Sequence, residues 1–149
     1  MKRILFAFVA VAGCGESPTA GYDQLTVSTT VSPVSAKVGD AIHIRTVLRN
    51  EGQSAVITRG AECGTGFEVL SGGVVVAPGP VACTAALPEL RKFAAGDSIV
   101  VSLSWHGNTR SSFGTTYTTL EPGTYSIRGV IRVGEATFTS EGHTVVLLP

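Results

Sequence analysis

Hydrophobic and polar residues alternate with a period of two through most of the chain beyond residue 24. The stretch 41–49 shows this alternation clearly. Its two faces differ, with Ile42, Ile44 and Leu48 on one and His43, Arg45 and Arg49 on the other. Because successive side chains of a β-strand point to opposite faces, this period predicts a strand with one buried face.

Short segments of the same kind recur along the chain, with turn-forming residues between them. The longest of the others are rich in Val, Thr and Ile, at 25–31, 98–105, 126–133 and 144–148. Gly72-Gly73 and Gly134-Glu135 lie between pairs of such segments and are predicted as hairpin turns. We read 77–90 as an irregular crossover and 106–116 as a polar loop. The pattern predicts seven or eight strands in an all-β antiparallel sandwich or barrel.

Composition narrows the class of protein further. A chain of 149 residues is long enough for one domain with its own core. Its 18 glycines argue against long helices, because glycine destabilises a helix interior by ~1 kcal/mol. Eleven basic residues balance eleven acidic ones, which excludes the strongly basic character of most nucleic-acid binders.

The N-terminus is predicted to be a secretory signal. Lys2 and Arg3 precede an uncharged apolar run, 4–12, which is shorter than the ~20 residues that span a bilayer. Gly13-Cys14 ends a sequence that resembles the lipobox of bacterial lipoproteins, in which the cysteine is lipidated after cleavage. An ordinary signal peptide with an incidental cysteine is the alternative.

This interpretation divides the chain into three parts and predicts its cellular location. Residues 1–13 are the signal peptide, 14–23 a flexible tether, and 24–149 the folded domain. Cys14 anchors the protein by lipid in the bacterial cell envelope, outside the cytoplasm. Because Gly15 and not Asp follows Cys14, the outer membrane is favoured in a host with two membranes.

The two remaining cysteines, Cys63 and Cys83, are predicted to form a disulfide. Paired cysteines are usual in small domains outside the cytoplasm. A loop of this length would stabilise the fold by ~3 kcal/mol in the chain-entropy account. The alternative is a redox or metal pair, although neither cysteine belongs to a C-x-x-C motif.

Catalytic and metal-binding patterns are weak in this sequence. Gly96-Asp97-Ser98 looks like the nucleophile block of one esterase group, but His143 has no aspartate three residues before it. His43, His106 and His143 do not pair at metal-ligand spacing. We therefore expect no enzyme activity, no metal, no cofactor and no small-molecule substrate.

Three pieces of the chain together resemble an immunoglobulin-like sandwich. They are the Gly39-Asp40 turn with its strand ending in Asn50, the Gly96-Asp97 turn with its strand ending in Trp105, and Pro122-Gly123-Thr124-Tyr125. The last looks like a tyrosine corner, in which the hydroxyl bonds to upstream backbone. Their order and spacing are similar to the BsuPI-type (intracellular proteinase inhibitor) domain, over about Val38 to Val133. The resemblance implies an immunoglobulin-like antiparallel β-sandwich of seven or eight strands and a proteinase-inhibiting role.

Several residues are candidates for contact with a protein partner. Phe113 is an aromatic residue in a polar stretch near Arg110, a composition typical of an interface hot spot, with packing under the sandwich as the alternative. Ala82 lies in the segment that the predicted disulfide would constrain, and a constrained loop loses less entropy on binding. Trp105 is expected in core or corner packing, with a binding anchor as the alternative.

The leading expectation is a non-enzymatic, lipid-anchored binding module of the cell envelope, with proteinase inhibition as its sharper form. Its partners are the membrane, through the lipid, and a protein. The alternative is a structural or accessory envelope lipoprotein that scaffolds a larger assembly.

Overall fold

The computed structural model describes residues 21–59, 66–79, 90–110, 117–134 and 136–149. A short 3-10 helix, Tyr22–Gln24, precedes the first strand. The strands are β1 (Leu25–Ser32), β2 (Ser35–Lys37), β3 (Ile42–Asn50), β4 (Val56–Arg59), β5 (Gly66–Ser71), β6 (Val74–Pro78), β7 (Leu90–Phe93), β8 (Ser98–Trp105), β9 (Asn108–Arg110), β10 (Tyr117–Thr119), β11 (Gly123–Val133), β12 (Ala136–Thr139) and β13 (His143–Leu148).

Two sheets form an all-β sandwich, as the alternating pattern predicts. The first sheet has the order β1-β3-β8 and is antiparallel throughout. The second has the order β2-β13-β11-β5-β6, and β12 pairs with the far half of β11. Its β2–β13 pair is parallel, and its other pairs are antiparallel.

The core lies between the inner faces of the two sheets. The apolar residues of β3 point inward as predicted, and Ile42, Ile44 and Leu48 are almost fully buried. Opposite them, Ile127 and Ile131 of β11 are also fully buried. This burial of alternate apolar side chains is what stabilises a sandwich of two sheets.

The sheets approach each other closely at Gly129 of β11. A Cβ atom at this position would overlap the hydroxyl oxygens of Thr29 and Thr46, on the facing strands β1 and β3. Those two hydroxyls are themselves 3.1 Å apart and buried. Glycine therefore provides the space for a hydrogen-bonded threonine pair inside the core.

The predicted hairpins are present, with the geometry that their residues favour. Ser71 pairs with Val74 across Gly72-Gly73, and both glycines have positive φ, at 56° and 84°. Positive φ at both central positions is the requirement of a type I′ turn. Val133 pairs with Ala136 across the second predicted hairpin.

Four short strands are absent from the sequence prediction. β2, β7, β9 and β10 have three or four residues each. The interpretation of 106–116 as a loop is wrong for residues 108–110, which form β9, and the crossover at 77–90 is shorter than expected because β6 reaches Pro78 and β7 begins at Leu90. Such short strands carry too few residues to show an alternating pattern, and their pairing depends on neighbours distant in sequence.

Candidate functional site

A tyrosine corner is present at the start of β11. The Tyr125 hydroxyl donates a hydrogen bond to the backbone carbonyl oxygen of Glu121, at 2.7 Å. The bond spans four residues and ties the start of the strand to the preceding turn, which is the geometry expected of such a corner.

Trp105 packs against this corner at the end of β8. Its side chain is 3% exposed, and its ring meets the Tyr125 ring edge to face, with centroids 6.1 Å apart. The indole Nε1 donates to the carbonyl oxygen of Asn108, at 2.7 Å. The structure thus places Trp105 in corner packing, and its ring anchors the chain that enters β9.

A surface cleft of about 250 Å³ lies over Trp105. Apolar and polar residues share its walls, which include Phe67, Pro78, Gly79, Ser104, Trp105, His106, Asn108 and Tyr117. The buried Phe67 and Trp105 form part of its base, whereas the Tyr117 side chain is 60% exposed. His106 is fixed beside the cleft, because its Nδ1 donates to the carbonyl oxygen of Gly39, at 3.1 Å.

The strands β9 and β10 contribute Asn108 and Tyr117 to this cleft. The predicted contact residue Arg110 pairs with Tyr117 at the end of the β9–β10 ladder, and β9 also contacts β6. The other two predicted contact residues, Phe113 and Ala82, lie outside the described residues. The segments that contain them follow Arg110 and Gly79, and Gly79 is one of the residues that line the cleft.

Asn50 is a second fixed point in the fold. Its side chain is fully buried, and its Nδ2 lies 2.9, 3.0 and 3.1 Å from the carbonyl oxygens of Ser54, Phe93 and Ala94. Its Oδ1 accepts a hydrogen bond from the backbone N–H of Gly52, at 3.0 Å. One side chain thus joins the end of β3 to the loop after it and to the turn before β8.

Cys14, Cys63 and Cys83 all lie outside the described residues. The structure describes the residues that flank the segments holding Cys63 and Cys83. Arg59 pairs with Leu90 at one end, and the backbone N–H of Gly79 donates to the carbonyl oxygen of Phe67 at the other, at 2.7 Å. The two segments therefore start and finish at neighbouring points of the fold.

The described residues offer little for catalysis or metal binding. Ser98 begins β8 in the first sheet, whereas His143 begins β13 in the second, and the structure gives no contact between their side chains. A Ser–His contact occurs elsewhere, between His43 Nδ1 and Ser104 Oγ at 3.1 Å, on an exposed sheet face. No group of three or more metal-ligating side chains, and no helix of membrane-spanning length and hydropathy, is found within the described ranges.

The sequence analysis did not identify most of the cleft. Phe67 and Tyr117 are fifty residues apart, and neither stands out as a surface-forming residue in its local pattern. Tyr117 lies in a run of threonines, and an aromatic residue in a polar stretch is the one signal that pointed toward it. The same signal selected Phe113, four residues earlier.

Comparison with known proteins adds little to this picture. No family model and no curated protein matches the chain. Solved structures with a similar arrangement include an alkylpurine DNA glycosylase from Pseudomonas fluorescens, at 13% identity and a TM-score of 0.45, over 85% of this chain and 31% of that one. A β-glucosidase from Erythrobacter marinus matches at 14% identity and a TM-score of 0.46, over 83% of this chain and 15% of that one. This chain thus spans less than a third of either protein, and likeness at this level carries no argument about function.

Proposed function

We propose that this protein is a non-enzymatic, lipid-anchored binding module of the bacterial cell envelope that holds a protein partner at the cleft over Trp105. The observation that carries the proposal is the combination of an exposed aromatic side chain, Tyr117, with a base of buried aromatic rings. An exposed tyrosine over a packed apolar base is typical of protein-binding hot spots.

Rigidity of the cleft supports binding rather than a purely structural role. Trp105 Nε1 and the Tyr125 hydroxyl are each held by a backbone carbonyl, and the two rings pack together. Side chains that are already fixed lose little conformational entropy when a partner binds. The β9–β10 ladder places Tyr117 opposite Arg110 in the backbone register.

The sharper form of the proposal is proteinase inhibition by an immunoglobulin-like domain of BsuPI type. The tyrosine corner at Tyr125 and the buried positions of Asn50 and Trp105 support it, because these residues carry the resemblance in the sequence. The sheet orders β1-β3-β8 and β2-β13-β11-β5-β6 also suit such a sandwich. An inhibitor of this kind would occupy the protease with the cleft and the segments beside it.

The lipid anchor at Cys14 and the Cys63–Cys83 disulfide belong to the same proposal. The anchor rests on the signal-like residues 1–13 and the lipobox resemblance. The disulfide is favoured because the segments holding the two cysteines share their flanking positions, at Arg59 with Leu90 and at Phe67 with Gly79. Together, these two proposed features imply a domain outside the cytoplasm, with the outer membrane favoured in a host with two membranes.

Titration of the full chain against a panel of serine and cysteine proteases tests this function. We expect stoichiometric inhibition of at least one protease, with the protein remaining intact on a gel. Tyr117→Ala is expected to weaken inhibition by tenfold or more. Val74→Ala removes another exposed apolar side chain, 67% exposed at the β5–β6 hairpin, and is the matched control that should inhibit normally.

Two outcomes of the protease titration would contradict parts of this proposal. If no protease in the panel is inhibited, the inhibitor proposal fails, and the alternative of a scaffolding envelope lipoprotein is tested by cross-linking in cells. If the parent and Tyr117→Ala inhibited the protease equally, the inhibitory surface would lie outside the cleft.

A further inference from the structure

We propose that the outer face of the first sheet binds a linear anionic polysaccharide, independently of the cleft. This face consists of the outward residues of β1, β3 and β8 and is called the β3 face below. Its middle row is His43, Arg45, Val47 and Arg49 of β3, in which every residue but Val47 is exposed. The cleft proposal concerns a protein partner, whereas the β3 face offers a separate surface of different chemistry.

The strand register surrounds the cationic row with hydroxyl groups. A hydroxyl residue lies on each side of both arginines, with Thr30 and Ser102 beside Arg45, and Thr26 and Ser98 beside Arg49. All four hydroxyl residues are exposed. Neighbouring strands are ~4.8 Å apart, so each guanidinium group has hydroxyl partners within reach of the same ligand. Such a row offers charge to carboxylates and hydrogen bonds to sugar hydroxyls.

Charge on the β3 face is largely uncompensated. None of the outward residues of β1, β3 and β8 is acidic. Arg49 lies 3.4 Å from Glu51, beyond the end of the strand, whereas Arg45 makes no ion pair within the described part of the chain. The second sheet differs, because its Arg128 is paired with Glu68 of the adjacent strand at 2.7 Å. Arg132 of the second sheet is also exposed and without an ion pair among the described residues, so what distinguishes the β3 face is its row of two arginines with no outward acidic residue.

The arrangement favours a chain-like polyanion over a membrane surface. The two cationic side chains, Arg45 and Arg49, lie in one row along β3, ~14 Å apart at ~3.4 Å per residue. The outward residues of the three strands include no tryptophan, tyrosine or phenylalanine, the aromatic residues that anchor proteins at the membrane interface. Single-stranded nucleic acid also requires aromatic stacking partners, and the face has none.

Binding of the full chain to polygalacturonate, measured by calorimetry, tests this inference. We expect saturable binding that weakens as salt is raised past ~0.15 M, because exposed charges are screened. Arg45→Gln should weaken binding about tenfold. Arg132→Gln removes an exposed arginine from β11 of the second sheet and is the matched control that should bind as the parent does.

Other ligands separate the remaining outcomes. Neutral dextran should not bind, and binding of dextran equal to that of polygalacturonate would overturn the inference. Binding to vesicles that contain phosphatidylglycerol is measured for both the parent and Arg45→Gln. Because both proteins carry the apolar segment 4–12, a difference in vesicle binding reports on Arg45. A membrane surface would be the true ligand if Arg45→Gln weakened vesicle binding and left polygalacturonate binding unchanged. If Arg45→Gln loses polygalacturonate binding but still inhibits the protease normally, the β3 face and the cleft act independently.

Discussion

Trp105 and Tyr125 meet edge to face, with their ring centroids 6.1 Å apart, although the two residues belong to different sheets. Each ring is also held through its polar atom, by the carbonyl oxygens of Asn108 and Glu121. This pair fixes the base of the cleft and the direction of the chain that enters β9. The predictions below test the contacts that hold this part of the fold and the surface it presents.

Tyr125→Phe should lower the free energy of unfolding by about 1 kcal/mol, because it removes the hydroxyl that donates to Glu121 and keeps the ring. Urea denaturation measures the change. Tyr125→Ala should cost at least twice as much, since it also removes the packing against Trp105. Equal stability of Tyr125→Phe and the parent would show that the corner bond contributes nothing.

Asn50→Ala should destabilise the protein by about 2–4 kcal/mol, because several buried backbone groups lose their partner. Asn50→Asp provides the control for side-chain size. It keeps an acceptor for the N–H of Gly52 but places a carboxylate against three carbonyl oxygens, so it should be at least as damaging as alanine. Chemical denaturation of both variants checks the order, and a mild effect of Asn50→Asp would refute the assigned donor role.

Gly129→Ala should cost about 2 kcal/mol or more, because the added methyl group would overlap the buried Thr29 and Thr46 hydroxyls. Gly123→Ala is the matched control in the same strand, since its Cβ would lie 3.7 Å from the nearest atom. Thermal unfolding of the two variants compares them directly. The close approach of the sheets at Gly129 would be disproved if both glycines tolerated alanine equally.

If Cys63 and Cys83 form a disulfide, the mass of the protein should change by a defined amount on reduction. Protein exported from the cytoplasm should gain two hydrogen masses on reduction and should then accept two additional alkyl groups. The double variant Cys63→Ser with Cys83→Ser should be less stable by ~3 kcal/mol in the chain-entropy account. Two free thiols in the exported, unreduced protein would contradict the pairing.

The sequence predicted the parts of this fold that repeat a local pattern. β3 was visible because Ile42, Ile44 and Leu48 fall on one face at a period of two, and the β5–β6 hairpin was visible because Gly72-Gly73 suits one type of turn. Tyr125 was predicted correctly because the corner bond reaches only four residues upstream.

The remaining features of the fold and the cleft depend on contacts between residues that are distant in sequence. The carbonyl oxygen of Phe93, which accepts a bond from Asn50, lies 43 positions away, and nothing in its local sequence marks it as a partner. β9 and β10 are three residues long, and their pairing brings Arg110 opposite Tyr117 across a polar stretch. The cleft likewise gathers Phe67, Trp105 and Tyr117 from three separate strands.

The most direct test of the central claim uses the fact that Trp105 is the sole tryptophan of the chain. Protein labelled with fluorotryptophan should give one fluorine NMR resonance, which reports on the base of the cleft. When a stoichiometric amount of an inhibited protease is added, we predict that this resonance shifts, and that Tyr117→Ala reduces the shift at the same protease concentration. Full inhibition with an unchanged Trp105 resonance would contradict the account and place the binding surface elsewhere on the domain.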